Sequence, residues 1–371
     1  MASRRTRAGI RSTRPSVETK IAIAAFLPAS RDRCRLCPSI GRRGAARPCD
    51  VVANVTFPIQ TTPAACRLTD ALLGNTPVAA FVGAFLGCLT TECFTAFGVV
   101  PDIASATATA LLCGVLLVTR TTRRFAEAFF PALYGGTFAG MTPIAWLDGC
   151  ASGHSAAAGA LSIALSIICG LAFFVVARLD ARSDAPVGLG YGGRLGAIAA
   201  VASFLFIAFV GPPEGNASRF QGIWAGAFHI EPWPIILGFF ACLAGTFITL
   251  TGLRQRRVAD GGAAQRTFIA SAAALSGLMI LQLGNPDDTR TMDAFYAGCF
   301  LGMSTPSRLK GRYQPVLGAL VLIVMLMPAR AFLRGVGGRL GLAAFVTVML
   351  LVALCGPTAC RRRSIQNGSS T

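Results

Sequence analysis

From residue 77 to residue 356 the chain is a succession of apolar stretches, most of them 17–23 residues long, parted by short polar loops. A helix of about 20 residues covers the ~30 Å of hydrocarbon in a bilayer. Inside lipid no water is present to satisfy a peptide group, so each stretch has to close its backbone hydrogen bonds within itself, as a helix does. A β-barrel would need strands that alternate apolar and polar residues, and these stretches are continuously apolar. With 53% hydrophobic and 13% charged residues and a mean hydropathy of +0.60, the 371-residue chain has too little polar material to cover a water-soluble surface. The expected fold class is all-α, a polytopic helical membrane protein of about ten transmembrane helices.

The expected spans are 77–99, 103–119, 125–143, 156–178 and 194–211, then 233–253, 264–284, 291–306, 315–333 and 338–356. The segment 212–232 between the two sets reads as an outer linker, with a short interfacial piece at Ile223–Ile230 flanked by Trp224 and Trp233. Residues 1–76 form a basic arm and residues 357–371 a basic tail.

Two sets of five are also what the internal repetition requires. Tyr134-Gly-Gly-Thr-Phe-Ala-Gly-Met-Thr142 returns as Tyr296-Ala-Gly-Cys-Phe-Leu-Gly-Met-Ser304, and both copies are followed by a proline, Pro143 and Pro306. Ile103-Ala-Ser-Ala106 returns as Ile269-Ala-Ser-Ala272, and Gly192-Gly-Arg-Leu-Gly196 as Gly337-Gly-Arg-Leu-Gly341, in the same order. A weaker match sets Phe85, Cys88 and Leu89 against Phe239, Cys242 and Leu243. A repeat with an odd number of crossings must be inverted in its second copy. The expectation is therefore two inverted five-helix repeats, residues 77–211 and 233–356. In outline this resembles the 5+5 architectures of several secondary transporters.

Charge placement orients the bundle, because Lys and Arg concentrate in short cytoplasmic loops. With both termini cytoplasmic, sixteen loop and tail Lys or Arg lie inside, against Arg219, Arg290, Arg330, Arg334 and Arg339 outside. Asp102, Asp148, Glu214, Glu231, Asp287 and Asp288 then also fall outside. Arg339 belongs to a repeated motif, whereas nothing in the sequence explains Arg330 and Arg334 on that face. The expected location is a bacterial inner membrane.

The net charge of +18 is spread as a membrane protein spreads it, and residues 1–70 alone hold 13 Lys and Arg against 4 Asp and Glu. It gives no argument for nucleic acid as a partner. The arm reads as an organellar transit peptide, an upstream start or a disordered basic segment. Its Cys34, Cys37 and Cys49 lack the second ligand pair of a zinc site, so no metal is expected. No cofactor motif occurs, and metallo-, serine and nucleotide chemistry have no sequence foothold.

The chemistry that remains is hydrogen bonding at two broken helices. In each motif the glycines stand four apart on one helical face, where another helix can approach closely. The Thr142 and Ser304 ends, each running into a proline, read as discontinuous helices whose freed backbone and hydroxyls bind a solute between the halves. The candidate solute site comprises Tyr134, Gly136, Phe138, Gly140, Thr142, Tyr296, Gly298, Phe300, Gly302, Ser304 and Thr305. The plain alternative is a pair of packing notches. Glu92 is the one carboxylate deep in an apolar span and the candidate for proton or cation coupling, with an uncharged counterpart near Thr246. Glu127 and Asp293 read as solvated helix-start residues.

The expected function is a secondary transporter or channel for a small solute, with membrane lipid and that solute as partners and a homo-oligomer left open. The alternative is a non-transport protein: an assembly or scaffold subunit, or a membrane-embedded enzyme using Asp148, His154, Glu214, His229 and Glu231 at the outer face.

Overall fold

The computed structural model describes residues 75–118, 123–142, 155–183, 188, 190–210, 232–255, 262–305, 308–309, 313–333 and 335–355. All belong to the second of the chain's two units, Gln60–Thr371. The zinc-like cysteines of the arm, the interfacial piece of the linker and the proposed outer-face set of Asp148, His154, Glu214, His229 and Glu231 lie outside the described residues.

Among the described residues there is no strand, and ten helices follow the apolar stretches: α1 Thr76–Ala96, α2 Pro101–Val118, α3 Arg123–Ala139, α4 Ser155–Asp180, α5 Arg194–Val210, α6 Pro232–Arg254, α7 Ala263–Gly284, α8 Thr289–Gly302, α9 Tyr313–Phe332 and α10 Arg339–Cys355. Five stretches, in α1, α4, α6, α7 and α9, are long and apolar enough to cross a membrane, consistent with an integral membrane protein. Helices α2, α5 and α10 carry shorter apolar stretches.

The two motif helices differ from the other eight in what they expose, and α8 is also the shortest of the ten. Helix α3 has 17 residues and α8 only 14, about 26 Å and 21 Å of axis. The span expected at 291–306 is thus shorter as a helix than the ~30 Å of hydrocarbon. Every other helix exposes large apolar side chains, among them Leu111, Leu171, Phe204, Phe240, Ile280, Leu320 and Met349, whereas α3 and α8 expose none. Residues Thr291–Gly302 are buried all round the helix. A helix that is apolar or small on every side belongs in the interior of its bundle.

Neighbour relations recur between the two sets of five. Within the first set α1 packs on α2, α3 and α4, α3 on α2, α4 and α5, and α4 on α5. Within the second, α6 packs on α7, α8 and α9, α8 on α7, α9 and α10, and α9 on α10. Between the sets, α2 packs on α7 and α8, α3 on α7, and α5 on α10.

Glycines fix the closest of these pairs. A Cβ on Gly136 would strike the Ala84 carbonyl of α1, and one on Gly140 the Cys88 carbonyl, with Thr91 Cβ 2.9 Å away. In the second set Gly298 meets the Cys242 carbonyl of α6, and Gly302 stands 2.5 Å from the Thr246 carbonyl and 3.0 Å from Thr249 Cβ. Gly87 and Gly245 return the contact against the carbonyls of Leu133 and Phe295. These contacts pair Ala84 with Cys242, Cys88 with Thr246 and Thr91 with Thr249. The alignment of Cys88 with Cys242 read from sequence is therefore wrong by four residues, one helical turn. A turn of slip preserves the face of a helix, so composition alone does not detect it. The counterpart of Glu92 is then the buried Leu250 rather than Thr246.

Candidate functional site

The rings of Phe138 and Phe300 lie 4.6 Å apart, edge to face, where α3 and α8 end against each other. Tyr134 reaches Phe300 at 6.3 Å, and Phe138 reaches Tyr296 at 6.2 Å. In each helix the tyrosine sits one turn before its phenylalanine, at 4.6 Å. Each tyrosine thus touches the other helix's phenylalanine, as two helices of opposite direction meeting near their C-terminal ends would arrange it. The aromatic residues of the repeated motif carry the contact between the sets. The glycines do not: Gly136, Gly140, Gly298 and Gly302 all face the neighbouring helix of their own set, and the space a solute would need beside them is filled by backbone.

The ends of both motif helices are capped by the opposite set. A Cβ on Gly192 would meet the Phe300 carbonyl and stand 2.5 Å from Ser304 Oγ, while one on Gly337 would stand 2.6 Å from the Phe138 carbonyl and 2.8 Å from Thr142 Oγ1. Gly193 and Gly338, both near φ +81°, turn the chain so closely that only a residue without a Cβ fits. The Gly192 N–H donates to Ser304 Oγ at 2.9 Å, and the Thr305 N–H to the Gly190 carbonyl at 2.9 Å. Thr142 donates to the Ala139 carbonyl. Thr142 and Ser304 are 1% and 3% exposed, so these hydroxyls close the helix ends and do not line open space.

A buried hydrogen-bonded line crosses between the sets at α2. Thr137 Oγ1 donates to the Tyr134 carbonyl at 2.7 Å, and Ser105 Oγ donates to Thr137 Oγ1 at 2.8 Å. With both hydroxyl protons committed, Tyr296 is the donor in its 2.9 Å bond to Ser105. The Tyr134 hydroxyl, buried beside that of Tyr296, makes no hydrogen bond of normal geometry among the described residues.

Beside the aromatic pair opens a cavity of about 260 Å³, lined by Val100, Pro101, Asp102, Phe138 and Met141 of the first set and by Thr289, Asp293, Phe300 and residues at 335–341 of the second. Of the expected solute-binding residues it includes Phe138 and Phe300 alone. Its charged wall comes from residues the sequence reading placed elsewhere. Asp293, read as a solvated helix start, is 6% exposed. Its Oδ2 accepts from Arg330 Nε at 3.1 Å, Arg330 Nη2 at 2.9 Å and Arg339 Nη2 at 3.0 Å. Asp102, assigned to an outer loop, sits in the first turn of α2, also 6% exposed. The charged groups around its carboxyl are Asp293, Arg339 and Arg330. One sequence signal pointed here: Asp293, Tyr296 and Phe300 stand at i, i+3 and i+7 on one helical face. The unexplained outer Arg330 is explained by its bond to Asp293, while Arg334 lies outside the described residues.

On the opposite ends of the helices the corresponding arginine does other work. Arg194 forks onto Asp180 at 2.7 and 2.8 Å, and Arg308 lies 4.5 Å over the ring of Tyr191, which packs on Phe345. Glu92 is 2% exposed, with the Cys88 thiol 3.9 Å from Oε1 and no hydrogen bond of normal geometry to Oε2 among the described residues, and it does not line the cavity. Glu127 is exposed, as expected of a helix start. Among the described residues no group of His, Cys, Asp and Glu is arranged to hold a metal.

No protein-family model matches this chain, and no curated protein or solved structure matches it.

Proposed function

We propose that the protein is a secondary transporter or channel for a small solute in a bacterial inner membrane, built from two inverted five-helix repeats with both termini cytoplasmic. The observation that carries this reading is the cavity shared by the two sets, floored by the Phe138–Phe300 pair and walled by buried charge. Ionised groups are expensive at membrane depth and are kept where they face a pathway or one another. Matching neighbour relations in the two sets support the repeat, and the Tyr–Phe cross-contacts support opposite directions for α3 and α8.

The grouping of helix ends supports the topology. The ends that meet at the cavity, the starts of α2, α8 and α10 and the close of α9 at Arg330, are those assigned outside. The close of α4 at Asp180, the start of α5 at Arg194 and the Tyr191–Arg308 contact gather ends assigned inside. In this topology the short α3 and α8 end within the membrane, and the aromatic pair forms the constriction between the cavity and the opposite side. Glu92 stands apart from the cavity as the coupling carboxyl.

Purified protein reconstituted in liposomes provides the test, with a panel of neutral, anionic, cationic and zwitterionic small solutes. A saturable flux of at least one solute, made leakier by Phe138→Ala or Phe300→Ala, is expected. Absence of any protein-dependent flux in the wild type and both variants overturns the proposal.

A further inference from the structure

Resting on that reading, we infer that the cavity binds a small monocarboxylate, its charged end held by the Arg339 guanidinium and its alkyl part by Phe138, Met141, Phe300 and Leu340.

The protonation of two aspartates decides the sign of the ligand. Asp102 of the first set and Asp293 of the second are joined carboxyl to carboxyl by a hydrogen bond. Such a bond needs a proton on one partner, since an ionised carboxylate only accepts. Asp293 is the ionised one: its Oδ2 accepts N–H bonds from Arg330 Nε at 3.1 Å, Arg330 Nη2 at 2.9 Å and Arg339 Nη2 at 3.0 Å. Asp102 is therefore the neutral acid, and its proton is committed to Asp293. Two guanidiniums and one carboxylate then leave the cluster with a single positive charge. A cation in the cavity adds to that charge, a neutral molecule leaves it uncompensated, and a monoanion cancels it.

The cavity wall presents that charge to a ligand. Arg330 is tied to Asp293 and to the Arg290 carbonyl at 2.8 Å, whereas Arg339 lines the cavity with its side chain 28% exposed, within reach of a solute there. Arg339 spends only one bond on Asp293, through Nη2. A guanidinium has two faces of paired donors, and Nη2 contributes one hydrogen to each. With Asp293 on one face, the other is open among the described residues to the two oxygens of a carboxylate. The starts of α2 at Pro101, α8 at Thr289 and α10 at Arg339 also line the cavity, so the positive ends of three helix dipoles meet where the anion sits. The remaining walls are largely apolar and suit an alkyl chain, and a volume of about 260 Å³ admits an acid of a few carbons.

Calorimetric titration of the purified full-length protein in chloride-free buffer tests this, with sodium acetate, propionate and butyrate set against butyramide, propylammonium and sodium chloride. Saturable binding of at least one carboxylate is expected, with neither butyramide nor propylammonium bound at the same concentrations and chloride at least about tenfold weaker. Arg339→Gln should weaken the carboxylate at least about tenfold, and Arg339→Lys, which keeps the charge without the paired donors, should weaken it less. Asp102→Asn, which keeps a neutral donor toward Asp293, should also weaken it less than Arg339→Gln. Should a variant fail to elute as a folded species, the wild-type selectivity decides alone. Propylammonium, butyramide or chloride binding as tightly as the carboxylates, no binding of any probe, or a greater loss in Asp102→Asn than in Arg339→Gln overturns the carboxylate site. In liposomes, flux of other solutes without carboxylate binding defeats this assignment and leaves the transport reading standing. Carboxylate binding without any flux does the reverse.

Discussion

A Cβ placed on Gly196 would stand 2.5 Å from the Cα of Gly341, and one placed on Gly341 would stand 2.6 Å from the Cα of Gly196. The two glycines belong to the two copies of Gly-Gly-Arg-Leu-Gly, so the repeat meets itself at equivalent positions. Such mutual contact is what a twofold relation between the sets produces, and it brings α5 and α10 together backbone to backbone.

That contact makes Gly196→Ala a sign test. In an open helix Gly→Ala stabilises by up to ~1 kcal/mol. At Gly196 or Gly341 the added methyl has only backbone to displace, and a loss of about 1–3 kcal/mol is expected. Gly159→Ala in α4, where a Cβ meets nothing within 4 Å, is the control and should be neutral or stabilising. Thermal unfolding in detergent reads all three. A stabilised Gly196→Ala would contradict the close approach of α5 and α10.

The two motif tyrosines should respond differently to loss of their hydroxyls. Tyr296→Phe removes a donor to Ser105 and should cost about 0.5–1.5 kcal/mol. Tyr134→Phe removes a buried hydroxyl that makes no hydrogen bond of normal geometry among the described residues and should cost less than Tyr296→Phe. Equal losses on unfolding would show that the line through Ser105 and Thr137 does not discriminate the two sides.

Accessibility should follow the cavity and not the motif hydroxyls. In a background without native cysteines, Met141→Cys and Val336→Cys, which line the cavity, should react with a small water-soluble methanethiosulfonate. Thr142→Cys and Ser304→Cys, capped by Gly337 and Gly192, should stay unreactive. Labelling at Thr142 and Ser304 but not at Met141 and Val336 would restore the motif ends as the solute site.

Coupling and binding should separate at Glu92. Its carboxyl is buried and does not line the cavity. Glu92→Gln should abolish a proton- or cation-driven flux while leaving solute binding measured by calorimetry within about twofold of the wild type. Unchanged driven flux removes Glu92 from the mechanism.

Much of the architecture was legible in the chain. Apolar length and continuity dictated helices, because lipid leaves the backbone no other partner. The motif glycines, four apart, announced close packing, and they do pack closely. The site was less legible. Thr142, Ser304 and Thr305 looked like ligands because hydroxyls at a helix break are unsatisfied in one dimension. In the fold the glycine turns of the opposite set satisfy Ser304 and Thr305 and cap the Thr142 end.

The sequence by itself therefore determined the all-helical class and which residues are small enough to let backbones meet, since these depend on length, composition and spacing. Only the tertiary structure decided the register of α1 against α6, because a slip of one turn keeps every residue on its face. It alone decided that Phe138 meets Phe300 and that Asp102, Asp293 and Arg339 line one cavity, with Arg330 bonded to Asp293. Those residues are up to 237 positions apart, from Asp102 to Arg339, and no local pattern relates charges whose proximity is set by how two groups of helices dock.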